Sequence, residues 1–152
     1  MANRHLRVAA YAVCVDNGSV LLARWIGPDG KRWTMPGGGL HHGEDPCDAV
    51  HREVEEETGY TVEIERLLGI DTVRGRTPRR LGRDADFHGV RVLYAARVTG
   101  GELRHETGGS TDRAAWIELD RVPGLDRVPL VDIALTLNAD RPPQGRLTVP
   151  SR

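Results

Sequence analysis

The chain has 152 residues, 39% hydrophobic and 28% charged, with a formal net charge of −1. That length and apolar content suit one domain with its own core, and the near-neutral charge argues against bulk electrostatic binding to nucleic acid or a membrane surface. No apolar run reaches membrane-span length, MANRHLRVAAYAV lacks a signal-peptide pattern, and Cys14 and Cys47 form neither a CxxC pair nor a disulfide framework, so the expectation is a cytoplasmic chain.

In chain order, Leu6 to Val15 is an almost unbroken apolar run, suited to a strand covered on both faces. Asn17-Gly18 marks a hairpin, and Val20 to Trp25 is its returning strand. Gly27-Pro28-Asp29-Gly30 turns again, and Trp33 to Pro36 leads into Gly37-Gly38, glycines that let the backbone approach a ligand closely. Asp45-Pro46 starts a helix, because the acid can accept bonds from free N–H groups and proline leaves none unpaired. The helix runs from Pro46 to Thr58 and stops at Gly59.

Thr61 to Val73 alternates as a strand, whereas Arg74 to His88 breaks the pattern and reads as a polar loop carrying Arg74, Arg76, Arg79, Arg80 and Arg83. A loop of this length in a compact domain is usually functional or disordered. Val90 to Val98 and Ala114 to Ile117 are further strands, and Leu130 to Asn138 has helical spacing through Leu130, Ile133, Ala134 and Leu137. The tail, with Pro142-Pro143 and no apolar cluster, is expected to be loosely held. The expected division is a single domain over 1–139 and a tail over 140–152. Strands on both sides of one central helix indicate a mixed α/β class.

The central helix carries the chemistry. At about 100° per residue, Glu53, Glu56 and Glu57 share one face while Glu55 points away. Cys47, Val50 and Val54 form an apolar stripe beside that face, so Glu57 borders the core. Carboxylates gathered without matching cations repel one another, and a hard divalent cation with oxygen ligands would relieve them. An EEE run by itself is an ordinary solvated helix face; the surrounding spacing changes that reading.

From Gly38 the chain reads glycine, five residues, Glu44, seven residues, then Arg52-Glu53-Val54, with Glu56-Glu57 and Gly59-Tyr60 following. This resembles the signature box of the Nudix hydrolases, which cleave nucleoside diphosphates linked to another group. Tyr60 is the one departure, at a position where the family carries an aliphatic residue; tyrosine fills such a site if its hydroxyl finds a partner.

The resemblance implies the Nudix fold, a mixed β-sheet sandwiched between helices (α/β/α). It implies Mg²⁺, or Mn²⁺ in its place, held by Glu53, Glu56, Glu57 and the Gly37 carbonyl. Arg52 would hold the carboxylates, and Glu44 would brace the loop or reach metal through water. Glu53 is the first candidate for the base and Glu106 the second; His41, His42, His88 and His105 are weaker ones. Substrate contacts are expected from Gly38, Glu106 and the loop arginines Arg79 and Arg80, whose planar forks suit phosphate oxygens. The expected partner is a small-molecule nucleotide, with no nucleic acid or membrane, and a homodimer is a further expectation. Gly75-Arg76-Thr77-Pro78 matches no substrate-branch marker cleanly, so the leaving group stays open. The rival readings are a catalytically silent Nudix-fold nucleotide-binding or regulatory module, and a structural protein with a solvated acidic helix.

Overall fold

Side-chain alternation along β1 (Asn3–Val13) sets the layers. Ala9, Tyr11 and Val13 enter one core cluster with Leu130, Ala134 and Leu137; Ala10, Ala12 and Cys14 enter the other with Ala49, Val50 and Val54. A period of two sends neighbours to opposite faces, so β1 is covered on one side by α1 (Pro46–Thr58) and on the other by α2 (Pro129–Asp140). Fully burying a valine such as Val50 or Val54 stabilises by about 1.5–3 kcal/mol. This is a computed structural model, and it describes residues 3–78 and 84–147.

The other elements are β2 (Val15–Asp16), β3 (Ser19–Gly27), β4 (Gly30–Thr34), β5 (Gly37–Gly39), β6 (Tyr60–Pro78), β7 (Asp84–Gly101) and β8 (Thr111–Glu118), with a 3-10 turn over Leu119–Gly124. One sheet has the order β5-β1-β7-β6 and is mixed, with β1 parallel to β7 and the other pairs antiparallel. The second joins β2, β3 and β4, with β8 antiparallel on β3. The expected α/β/α sandwich is therefore the observed architecture.

Helix α1 starts and stops for the reasons its sequence suggests. Asp45 caps it by accepting a bond from the Cys47 N–H at 2.8 Å, and Gly59 ends it at φ 80°. Tyr60 sits where the chain leaves the helix, and its hydroxyl accepts a bond from Trp116 Nε1 at 3.1 Å.

Two expectations are corrected. The polar loop expected over Arg74 to His88 is strand on both its arms: β6 and β7 pair through Arg74↔His88 to Pro78↔Asp84. Strand pairing satisfies backbone groups and does not require buried side chains; β1 supports the extension by pairing Asn3 to Arg7 with Ala85 to Gly89. Residues 79–83, with Arg79, Arg80 and Arg83 among them, lie outside the described residues. The tail is held at least to Leu147: the Ile70 N–H donates to the Gly145 carbonyl at 2.8 Å, and Leu147 packs on the core.

Candidate active site

The buried stripe Val50–Val54 continues to Glu57, which is 2% exposed. One carboxylate oxygen of Glu57 accepts the Gly37 N–H at 3.3 Å. Burial pushes its pKa well above the ordinary 4.5, and the neighbouring charge of Glu53 pushes the same way; Glu106 adds to this, while the Gly37 N–H opposes it. Three carboxyl groups from two parts of the chain thus feel one another.

Arg52 organises the surroundings. Its Nε and Nη2 donate to the two oxygens of Glu44 at 2.9 and 2.8 Å, its Nη1 donates to Glu53 at 2.8 Å, and Nη2 also reaches the Gly39 carbonyl at 3.1 Å. Glu44 in turn accepts the His41 N–H at 3.0 Å. The Arg52 bonds, with the His41 N–H second, hold the Glu44 carboxyl down at about 2, and the same bonds raise the pKa of Arg52 above its ordinary value. Such charge-assisted, bidentate contacts fix geometry as well as charge. Glu44 braces the loop against the helix. Glu56 stands apart, with its side chain 50% exposed and 3.5 Å from Arg52 Nη1.

The glycines of β5 explain how helix carboxylates on one face of the sheet reach a cleft on the other. A Cβ on Gly38 would come within 2.8 Å of Glu53 Oε1, so a side chain here would displace that carboxylate. Across this bare edge Glu53 and Glu57 line a cavity of about 480 Å³ together with Tyr11, Arg91, Thr111 and Leu130. That volume lies in the range of about 300–1,000 Å³ common for small-molecule sites. Glu106 stands behind Thr111, whose hydroxyl donates to it at 2.6 Å. A separate cavity of about 260 Å³ includes Cys14, whose thiol burial pushes up to about 12, and its two acids, Asp16 and Glu65, share the lining with Arg97.

The NUDIX domain family model matches residues 3–135 of this chain. The chain belongs to the NUDIX family. Among its relatives, an ADP-ribose pyrophosphatase of Methanocaldococcus jannaschii is 32% identical over 110 residues, covering 72% of this chain and 60% of that protein. An RNA pyrophosphohydrolase of Saccharophagus degradans is 41% identical over 73 residues, covering 47% of this chain and 42% of that protein. The match thus spans about half the length of these relatives. A NUDIX hydrolase from Nitrosomonas europaea superposes with a TM-score of 0.72 at 27% identity, covering 90% of each chain. A MutT NUDIX hydrolase from Burkholderia pseudomallei gives 0.67 at 29% identity, covering 88% of this chain and 98% of that one.

Within this NUDIX domain, Glu53, Glu57, Gly37 and Gly38 come together at the cleft, and Glu106 approaches through Thr111. Arg52 and Glu44 lie behind them, and Glu56 is turned outward. His105 is committed elsewhere, its Nδ1 accepting the Ala114 N–H at 3.1 Å. Among the described residues, no three acidic, histidine or cysteine side chains already close on one point as a finished metal site. The donor chemistry nevertheless fits a hard cation. Glu53 and Glu57 offer only oxygen, and Glu57 is buried with one N–H as its hydrogen-bond partner. The sequence reading passed over Arg7, Tyr11, Trp25, Phe87 and Arg91, which also line the cleft. Alternation along β1 and β7 could have placed Arg7, Tyr11, Phe87 and Arg91 on one face, given the register.

Proposed function

We propose that the protein is a divalent-cation-dependent pyrophosphohydrolase, cleaving the diphosphate linkage of a nucleoside diphosphate derivative or a nucleoside triphosphate by attack of water at phosphorus. The observation that carries this reading is the pair Glu53–Glu57, carboxylates facing a nucleotide-sized cleft with less positive charge beside them than they need. Membership of the family supports it, and so do relatives named for ADP-ribose pyrophosphatase and RNA pyrophosphohydrolase activities. The leaving group stays open between these classes.

Glu53, Glu56 and Glu57, with the Gly37 carbonyl, would hold Mg²⁺ or Mn²⁺. When bound, the cation supplies charge screening of the phosphoryl oxygens and a lowered pKa for water. The chain's own residues do the rest. Arg52 and Glu44 keep Glu53 aimed across the glycine edge, and the three bare glycines of β5 admit the diphosphate close to the backbone. Glu53 is the first choice to take the proton from water, with Glu106 second, since its charge is felt at Glu57. The intact carboxylate set disfavours a silent binding module. As expectations beyond the reaction, the partner is a small-molecule nucleotide and the protein a cytoplasmic one; among the described residues no helix is long and apolar enough to cross a membrane.

The deciding experiment is product release from a panel of nucleoside diphosphate derivatives and triphosphates, with Mg²⁺, with Mn²⁺ and with EDTA, repeated on Glu53→Gln and Glu106→Gln. Metal-dependent release, lost with EDTA, is expected for at least one substrate. Whichever variant loses the greater part of kcat names the base. Release that persists undiminished in EDTA would sink the reading.

A further inference from the structure

The segment between β7 and β8, residues 102–110, is fastened at both ends. The last turn of α1 contains no basic residue. Its cation comes from this segment instead: Arg104 Nη2 donates to the Glu55 carbonyl at 3.1 Å, and the Arg104 N–H donates to the Thr58 carbonyl at 2.9 Å. A positive group here meets the free carbonyls and the negative end of the helix dipole. Gly59 makes room for the contact, since a Cβ there would come within 2.2 Å of the Glu102 carbonyl oxygen. His105 is tied next, its Nδ1 accepting the Ala114 N–H at 3.1 Å. At the far end the Ser110 carbonyl accepts the Ile26 N–H at 3.0 Å. Glu106 opens the interval between these anchors and Gly109 closes it.

Glu106 has its own anchor inside that interval. Its carboxylate accepts the Thr111 hydroxyl at 2.6 Å, the length of a charge-assisted O–H···O⁻ bond. Thr111 is 3% exposed and lines the cleft together with Glu53 and Glu57. An irregularity in the pairing of β3 with β8, between Arg24 and Trp25, sets Thr111 opposite Trp25, and bulges of this kind re-aim a side chain. From where Thr111 holds it, the charge of Glu106 is felt at Glu57, after the larger effects of burial and Glu53.

Gly109 acts by what it lacks. A Cβ at this position would lie 1.9 Å from Glu106 Oε1, so the carboxylate occupies space that any other residue would fill. Gly109 is not among the glycines with positive φ. Alanine therefore suits its backbone, and the consequence of the added methyl is to push a flexible carboxylate aside.

We propose that Thr111 is a positioning residue of the site: its hydroxyl, with the space left by Gly109, holds Glu106 beside Glu53 and Glu57 so that the three carboxylates act together on a divalent cation and its water. This rests on the hydrolase reading above and adds to it that the loop carboxylate works only in the place Thr111 gives it.

The test uses the opposite orders that hydrogen bonding and packing impose on Thr111 variants. Valine keeps the shape of threonine without the donor, and serine keeps the donor without the methyl group. Positioning predicts Thr111→Ser close to the wild type and Thr111→Val weaker by about tenfold or more, as behind a metal ligand. Packing alone predicts serine as the poorer variant. The first readout is Mn²⁺ affinity without substrate, from the EPR signal of the free ion; the second is kcat in Mg²⁺ for a substrate found by the panel above. Gly109→Ala should lower both as Thr111→Val does, at unchanged Tm. Neither substitution should add to the loss in Glu106→Gln, because all three act through one carboxylate. If Thr111→Val does not fold, Gly109→Ala and Thr111→Ser decide by the same readouts. Wild-type values in Thr111→Val or Gly109→Ala, serine weaker than valine, or losses that add in full to that of Glu106→Gln would each overturn the proposal. Thr111-dependent Mn²⁺ binding in a protein that hydrolyses none of the panel would keep the positioning and remove the hydrolase reading. Metal-dependent hydrolysis indifferent to Thr111 would do the reverse, and a wild-type protein that binds no Mn²⁺ at millimolar concentration would overturn both.

Discussion

Two ion-pair networks in this molecule use the same chemistry with opposite balance. On α1 and its loop, one guanidinium, Arg52, serves Glu44, Glu53 and Glu56. On β3, β4 and β8, one carboxylate, Asp112, is shared by Arg24 and Lys31. The surplus positive charge of the second network is met locally: Arg24 lies 5.8 Å and Arg113 5.9 Å from the centre of the Trp33 ring, whose π-face attracts cations. The surplus negative charge of the first has no second ion-pair partner among the described residues, and it faces a cleft. Ion pairs alone therefore do not mark a site. An unbalanced remainder aimed at a cavity does.

The sharpest way to break this contrast is Glu57→Gln. It removes the buried carboxylate that lies beside Glu53 of the unbalanced network and should lower kcat by about a hundredfold or more, the order seen when a transition-state stabiliser is lost. The Tm of the metal-free protein should not fall, because the substitution also removes the cost of burying a charge. Wild-type turnover by this variant at low millimolar Mg²⁺ would reduce the acidic face to a structural feature.

Arg52→Ala should come next, costing about 10–100-fold in activity or metal affinity, as loss of a supporting partner behind a metal ligand does. Arg52→Lys should recover only part, because an ammonium cannot span both Glu44 oxygens and Glu53 at once. Steady-state kinetics and Mg²⁺ titration of the two variants decide this, and equal activity in all three proteins would contradict the bracing role.

A smaller effect concerns acid stability. The folded Glu44 carboxyl is held at about 2, below its ordinary 4.5, chiefly by Arg52 and next by the His41 N–H. A depressed carboxyl contributes stability above about 4.5, and that contribution is lost as pH falls from there towards 2. Glu44→Gln should therefore show a shallower fall of Tm across that window than the wild type. Parallel Tm curves would mean that Glu44 does not contribute.

The smallest effect belongs to the balanced network. Asp112→Asn should lower Tm modestly, because Arg24 and Lys31 lose their shared anion, while kcat and KM stay within about twofold, as for an ordinary ion pair whose side chains do not line the cleft. A kcat loss comparable to that of Glu57→Gln would erase the distinction between the two networks.

Much of this was legible in the chain because it is local. Asp45-Pro46 and Gly59 bound α1 through groups within a turn of the helix end, so the span Pro46–Thr58 could be read directly. The pairing of Glu53 with Glu57 one turn later follows from helical geometry alone. Val50 and Val54 likewise foretold that Glu57 would meet the core, and it is buried. The extension of β6 and β7 was illegible for the opposite reason: Arg74 to Pro78 gains its strand conformation from a partner on β7, and its polar side chains give no apolar alternation to read. The hold on the tail depends on a backbone bond from Ile70 to Gly145 and on Leu147 packing against the core, which no pattern in the tail itself announces.

By itself, then, the sequence determined the helix, its carboxylate face, the glycine edge and the family, since each depends on residues close together in the chain. Only the tertiary structure decided that Glu56 turns outward while Glu57 is sealed in, that Glu44 binds Arg52 through both oxygens, and that Arg7, Trp25 and Phe87 share a cleft with Glu53. These depend on sheet register and layer packing. A shift of one residue in the pairing of β1 with β7 would send Arg7 and Phe87 to opposite faces.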